Sequence, residues 1–134
     1  MTAVTEGKAS LRSEHDIVLA RQQVRRLTQE LKFSLVDQTK MVTAASELAR
    51  NAYTYGRGGD MHWAILNIEG RTGLKLLFAD DGPGIANLDL AMTDGWTSGN
   101  GLGMGLTGSK RLVNEFEIES AIGVGTRVTI IRWK

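Results

Sequence analysis

The chain has 134 residues, 42% of them hydrophobic and 23% charged, with a formal net charge of +1 and no cysteine. That length fits a single globular domain, 1–134, able to bury a core without staples, and the balance argues against a disordered chain. Near-neutral charge leaves no electrostatic footprint for nucleic acid; disulfides and thiolate metal sites are excluded, and His15 and His62 are too few for a structural zinc site.

No apolar run approaches the ~20 residues needed to cross a bilayer. The polar start, Met1 to Ser10, lacks the apolar centre of a signal peptide. A soluble cytoplasmic protein, engaging neither membrane nor nucleic acid, is expected.

In chain order, residues 1–8 read as a loose tail and Ala9 to Arg12 as a short edge strand. Ser13 is a helix N-cap, with Glu14 and Asp16 complementing the first-turn dipole. Ile17, Ala20, Val24, Leu27 and Leu31 follow at helical spacing as a core stripe. Ser34 opens a second helix in the same way, with Asp37 at its third position. Val42, Ala45, Leu48, Ala49 and Ala52 form its apolar face, which fades near Tyr55-Gly56.

Met61–Glu69 and Leu74–Ala79 read as strands joined by Gly70-Arg71-Thr72-Gly73. From Asp80 to Gly105 glycines are dense, and periodicity lapses apart from a turn around Leu88 to Met92. Long irregular segments in a compact domain are usually functional or disordered. A helix is predicted after Gly105, then strands over Phe116–Ala121 and Arg127–Trp133. This order predicts an α+β fold: a two-layer sandwich with helices on one face of a mixed, mostly antiparallel sheet.

Three constellations carry possible chemistry. Glu47 and Asn51 lie four apart on the second helix and share a face, so carboxylate and carboxamide can address one site; an ordinary polar helix face has the same spacing. Asp80-Asp81-Gly82-Pro83-Gly84 follows a strand, where an Asp can accept from an exocyclic amine and the glycines admit a ligand; a tight acidic turn also fits. Gly99-Asn100-Gly101-Leu102-Gly103-Met104-Gly105 precedes a helix and exposes amides suited to phosphate, or serves as a linker. It is neither a Walker A loop nor a dinucleotide fingerprint, since no Gly-Lys-Ser/Thr and no βαβ unit accompany it.

Order and spacing decide between these alternatives. Glu47 to Asn51, Asp80 to Gly84, Gly101 to Gly105 and the final Gly125-Thr126 resemble the N box, Asp-x-Gly-x-Gly box, Gly-x-Gly-x-Gly box and Gly-Thr of the Bergerat (GHKL) ATPases. The resemblance runs from about Ser10 to Trp133. Ser46 to Asn51, the short lid, and Gly105-Leu106 leading into Lys110-Arg111-Leu112 look like the anti-sigma and stressosome-switch kinase branch.

The resemblance implies a serine/threonine protein kinase of a bacterial partner-switching pathway, using ATP and Mg²⁺. Its implied substrates are STAS-domain scaffold or antagonist proteins, and its later partner a phosphatase or cyclase-type regulator. The alternative within the branch is an anti-sigma factor acting mainly by sequestration.

By the same resemblance Asn51 holds Mg²⁺ and Glu47 orients or deprotonates the attacking hydroxyl. Asp80 accepts from the adenine amino group with support from Thr126. Gly82 and Gly84 let backbone approach the nucleotide, while Gly101, Gly103 and Gly105 donate amides to phosphate. A full histidine kinase is disfavoured, because no dimerisation helix pair precedes the motifs. One departure stands out: between Lys75 and Lys110 there is no Lys or Arg, whereas related kinases carry an arginine in the lid.

Overall fold

The structure, a computed structural model, describes residues 5–92 and 102–134. Trp96, Gly101 and much of the lid expected over 85–100 lie outside the described residues. The elements are β1 (Glu6–Leu11), α1 (Glu14–Glu30), α2 (Leu35–Thr54), β2 (Gly59–Ile68), β3 (Arg71–Asp80), α3 (Leu88–Ala91), α4 (Leu102–Arg111), β4 (Glu115–Ala121) and β5 (Gly125–Trp133).

Both long helices begin where a serine can replace the missing intrahelical acceptor. Ser13 Oγ accepts from the Asp16 amide at 3.0 Å, and Ser34 Oγ from the Asp37 amide at 3.1 Å. The α1 stripe of Ile17, Ala20, Val24 and Leu27 is buried, as is the α2 face around Met41, Ala45, Leu48 and Ala52.

The strands form one sheet in the order β1-β2-β3-β5-β4, and every neighbouring pair is antiparallel. The expected mixed sheet is thus corrected to an antiparallel one among the described strands. Two helices, not one, separate β1 from β2, so the chain returns reversed. β3 and β4 run the same way, and β5 inserts between them. The helices pack on one face, whose alternate residues Met61, Trp63, Leu74, Leu76, Phe78 and Ile130 are buried.

β2 and β5 each start two residues earlier than expected, at Gly59 and Gly125, and three further boundaries differ for reasons the packing shows. β1 starts at Glu6, inside the supposed 1–8 tail, because Gly7 pairs with Trp63 and leaves room for its indole; a Cβ there would stand 2.5 Å from the ring. The β2–β3 turn is only Glu69-Gly70, with φ of 52° and 78°. Two consecutive left-handed residues match the twist of a hairpin, so β3 claims Arg71 to Gly73. Finally, α4 begins at Leu102 and absorbs Gly103 and Gly105. Packing of α4 on α2 outweighs the poor helix propensity of glycine. Among the described residues no helix is long and apolar enough to cross a membrane.

One polar contact closes the layers at the far end from the motifs. Arg132, at the end of β5, donates to Asp37 in the first turn of α2 and to the Leu112 carbonyl beyond α4. The hydrogen bond from Arg132 holds the Asp37 carboxyl below the usual carboxylate range, against the opposing effect of its partial burial. A depressed native pKa contributes stability above the unfolded value and loses it as pH falls through the native one. Asp37→Ala leaves the half-buried guanidinium short of a partner and should cost about 1–3 kcal/mol at neutral pH. Thermal melts should show the gap between variant and parent closing once the solution is acidified below the ordinary carboxylate pKa.

Candidate functional site

At the opposite end the buried face of the sheet runs out of apolar residues. Phe78 is followed two positions later by Asp80, and Val128 is preceded by Thr126, the residue paired with Asp80. Period-two alternation turns both side chains toward the helices. Above them α2 presents Leu48, Asn51, Ala52 and Tyr55, and Leu106 of α4 closes one side. The result is a cavity of about 310 Å³ whose walls include Asn51, Asp80, Gly84 and Thr126.

Asp80 is the fixed point of this wall. Its Oδ1 accepts from the Gly82 amide at 3.0 Å and the Thr126 amide at 3.3 Å. Burial pushes its carboxyl above the usual range and the Asp81 charge adds to this, while the two amides pull the other way. Its Oδ2 side lies directly on Gly56, where a Cβ would come within 2.4 Å of that oxygen.

Asn51 and Glu47 sit about one to two turns back along α2. Gly105 faces them: a Cβ there would lie 3.2 Å from Asn51 Nδ2 and 3.3 Å from Glu47 Oε2. Asn51 Nδ2 is buried with no hydrogen-bond partner among the described residues, an orphaned polar atom close against Gly105. Such atoms usually have a partner in the working molecule. From Glu47 to Tyr55 the helix covers roughly 12 Å at 1.5 Å per residue, a nucleotide-sized span.

The structure therefore brings Glu47, Asn51, Asp80, Gly84, Gly105 and Thr126 to one site. It alters the reason for several glycines. A Cβ on Gly82 would meet Gly56 at 2.7 Å, and one on Gly84, whose φ is 76°, would meet the Ala121 carbonyl at 2.3 Å. Both are required first by protein backbone, not by a ligand. Gly103 and Gly105 are not in a loop before the helix but in its opening turns. Gly103 remains among first-turn amides, which lack an acceptor within a helix.

Three residues escaped the sequence reading. Gly56 looked like a turn glycine, yet Asp80 needs it. Arg57, with φ of 61°, is a cation on the cavity wall, from the α2–β2 turn rather than the lid. Ser120 sits behind Thr126, with its hydroxyl 2.8 Å from the Thr126 hydroxyl. Only Arg57 left a signal, a basic residue just past the end of the helix bearing Asn51. Lys110 and Arg111 stand in the last turn of α4, at the end away from Gly103.

Comparison with known proteins follows this geometry. Residues 36–134 match the family model described as histidine kinase-, DNA gyrase B- and HSP90-like ATPase. Over 121 residues, 90% of this chain and 91% of the other, the sequence is 45% identical to the serine/threonine-protein kinase RsbT of Bacillus subtilis (strain 168). Over 116 residues, 81% of this chain and 80% of the other, it is 34% identical to an anti-sigma F factor of Clostridium kluyveri. The RsbU and RsbW domains of a Mycobacterium tuberculosis protein share the fold, with a TM-score of 0.65 at 19% identity over 99% of this chain and about a third, 34%, of that one.

Two glycine substitutions separate packing from site geometry. Gly56→Ala drives a Cβ into Asp80 and should lower stability by about 1–3 kcal/mol. Gly105→Ala relieves a helix glycine, worth ~1 kcal/mol, against a merely tight contact. Its melting temperature should stay level or rise, while the methyl crowding Asn51 Nδ2 and Glu47 Oε2 should weaken nucleotide binding by calorimetry. A Gly105→Ala protein that melts as early as Gly56→Ala would contradict this division.

Proposed function

Because the chain belongs to the histidine kinase-, DNA gyrase B- and HSP90-like ATPase family, we propose that it is an ATP-dependent serine/threonine protein kinase of a partner-switching pathway. The observation that carries this reading is one cavity with Asp80 and Thr126 at one end and Asn51 on its wall, with Glu47 one helical turn behind Asn51. The 45% identity to RsbT over nine-tenths of both chains supports the kinase assignment.

On this reading the adenine amino group donates to Asp80, beside the Thr126 hydroxyl. Asn51, half-buried on the cavity wall, offers its side-chain oxygen to Mg²⁺. Bound there with the nucleotide, Mg²⁺ neutralises charge on phosphate oxygens. The first-turn amides of α4, those of Gly103 and Gly105 among them, face phosphate, while Gly82 and Gly84 let backbone lie close to the nucleotide. Glu47 orients or deprotonates the acceptor hydroxyl of the protein substrate. Phosphoryl transfer is chiefly positioning and charge stabilisation, so this short set suffices.

STAS-domain scaffold or antagonist proteins are the proposed substrates, and a phosphatase or cyclase-type module the later partner. The 34% identity to an anti-sigma F factor favours a second reading, sequestration of a bound partner. Phosphosite mapping on proteins that co-purify separates the two: a stable complex with no phosphorylated member supports sequestration.

Glu47→Ala should abolish phosphorylation of the partner and keep most ATP affinity, whereas Asn51→Ala should lose both Mg²⁺-dependent binding and transfer. Normal transfer by Glu47→Ala would remove Glu47 from the chemistry. Asp80→Asn can still accept from the Gly82 and Thr126 amides, and it relieves a buried charge whose pKa is raised. The raised carboxyl costs stability when ionised, so this variant should melt no earlier than its parent at neutral pH, yet bind ATP more weakly.

The absence of a basic residue between Lys75 and Lys110 generates a further expectation. A cation supplied in trans can be worth ~10³ in rate. The isolated protein should therefore consume ATP very slowly in single-turnover assays, with transfer appearing only with its partner. Fast consumption by the lone protein would show that its own residues complete the site, and Arg57, the cation on the cavity wall, is the first to replace.

A further inference from the structure

Behind the acceptor end of the cavity one hydroxyl on β4 ties together the segment after β3 and the start of β5. Ser120 Oγ lies 2.7 Å from the Ile85 amide, 3.1 Å from the Gly125 carbonyl and 2.8 Å from Thr126 Oγ1. Two of these partners have no choice of role: an amide only donates and a carbonyl only accepts. A serine hydroxyl carries one proton and two lone pairs. Its proton therefore goes to Gly125, one lone pair takes the Ile85 amide, and the other takes the proton of Thr126.

The consequence falls on Thr126. Its single hydroxyl proton is directed away from the cavity, into Ser120. Toward the cavity it shows lone pairs, beside the Asp80 carboxylate that its own amide helps to hold.

We propose that Ser120 is a positioning residue for nucleobase selection: by taking the Thr126 proton it makes Thr126 a pure acceptor, so that Asp80 and Thr126 together favour a base bearing an amino group over one bearing a carbonyl. This inference rests on the reading that the base sits at Asp80. Two acceptors suit the two N–H bonds of a 6-amino purine. A 6-oxo purine sets its carbonyl against both, and a site built from fixed polar partners rejects such an analogue strongly. Without Ser120 the Thr126 hydroxyl can rotate and donate, and half of that rejection disappears.

Ser120 performs a second task from the same atom. Ile85 opens the stretch that leads to α3, and the Gly123 amide reaches the Pro83 carbonyl at 2.9 Å close by. The β4–β5 hairpin is thus fastened to the segment that leaves Asp80. A purely structural role for Ser120 would act through this fastening and would weaken every nucleotide alike.

Calorimetry with ATP and with inosine triphosphate, which differs in carrying a 6-carbonyl, distinguishes the two roles. With Mg²⁺ present, the wild-type protein should prefer ATP at least about tenfold. Ser120→Ala should cut that preference at least fivefold, and Ser120→Thr should restore most of it. In a Thr126→Val background, where no hydroxyl remains to orient, Ser120→Ala should leave the preference unchanged. Should Ser120→Ala fail to fold, Ser120→Cys, with a weakly bonding thiol of similar size, is read in the same way. An unchanged preference in the folded variant, or an equal shift in the Thr126→Val background, overturns the inference. Equal affinity of the wild-type protein for both nucleotides removes the Asp80 reading itself, and that outcome is visible before any variant is made.

Discussion

Everything at the working end of the molecule is arranged around one carboxylate placed where the core should continue. Asp80 occupies the position on β3 that follows Phe78 on the buried face. A charge there is tolerable only if its oxygens are met, and the protein meets Oδ1 with two amides from different segments, Gly82 and Thr126. The backbone must come unusually close to do this. Gly56 and Gly82 pack on each other and on Asp80 with no room for a side chain. The end of α2, the start of the glycine-rich segment and the last hairpin are consequently held together by the same carboxylate that lines the cavity.

The two ends of α2 divide the labour. Its N-terminal turn carries the Ser34 cap and the Asp37–Arg132 pair, which bind the helix to β5 and have no access to the cavity. Its C-terminal half carries Asn51 and Tyr55 on the cavity wall, with Glu47 one turn earlier. β5 shows the same polarity, with Arg132 at the stabilising end and Thr126 at the other. The middle of both elements is apolar, through Met41, Leu48, Val128 and Ile130. Site residues therefore hang from a core that does not depend on them, which is why a strained, partly unsatisfied cluster can persist.

How far the sequence reveals this varies with the kind of interaction. The serine caps and most of the apolar stripes of α1 and α2 are legible, because they depend on local chemistry; Thr28, Met41 and Ala44 join the buried faces beyond the residues the pattern picks out, and Leu31 falls past the end of α1. Glu47, Asn51, Asp80 and Thr126 stand out in the sequence as ordered motifs, and the fold sets Asn51, Asp80 and Thr126 around one cavity with Glu47 a turn behind Asn51. What escaped was set by contacts distant along the chain. Gly7 owes its place to Trp63, Gly56 to Asp80 and Gly84 to Ala121, and no window of sequence contains those pairs. The start of α4 was misjudged because glycine spacing argues for a loop, whereas burial of Leu106 against α2 decides for a helix.

The balance of charge on the cavity wall adds a last constraint on how such a site can work. Among its described lining residues the ionisable acids and bases that carry charge are Asp80 and Arg57, and Glu47 stands just behind Asn51. The side-chain oxygens of Asn51, Thr126 and Asp80 add acceptors to this wall, alongside the hydroxyls of Thr54 and Tyr55. A wall of acceptors has little intrinsic attraction for a polyanion, so a triphosphate can settle there only with its charge offset from elsewhere. On the proposed reading, backbone amides at the start of α4 would supply part of that, and a divalent cation against Asn51 would supply more, beside Arg57 on the wall. Affinity for nucleotide would then depend chiefly on metal and helix geometry, and the asymmetry between the Asp80 end and the Asn51 end would set the direction in which a nucleotide lies.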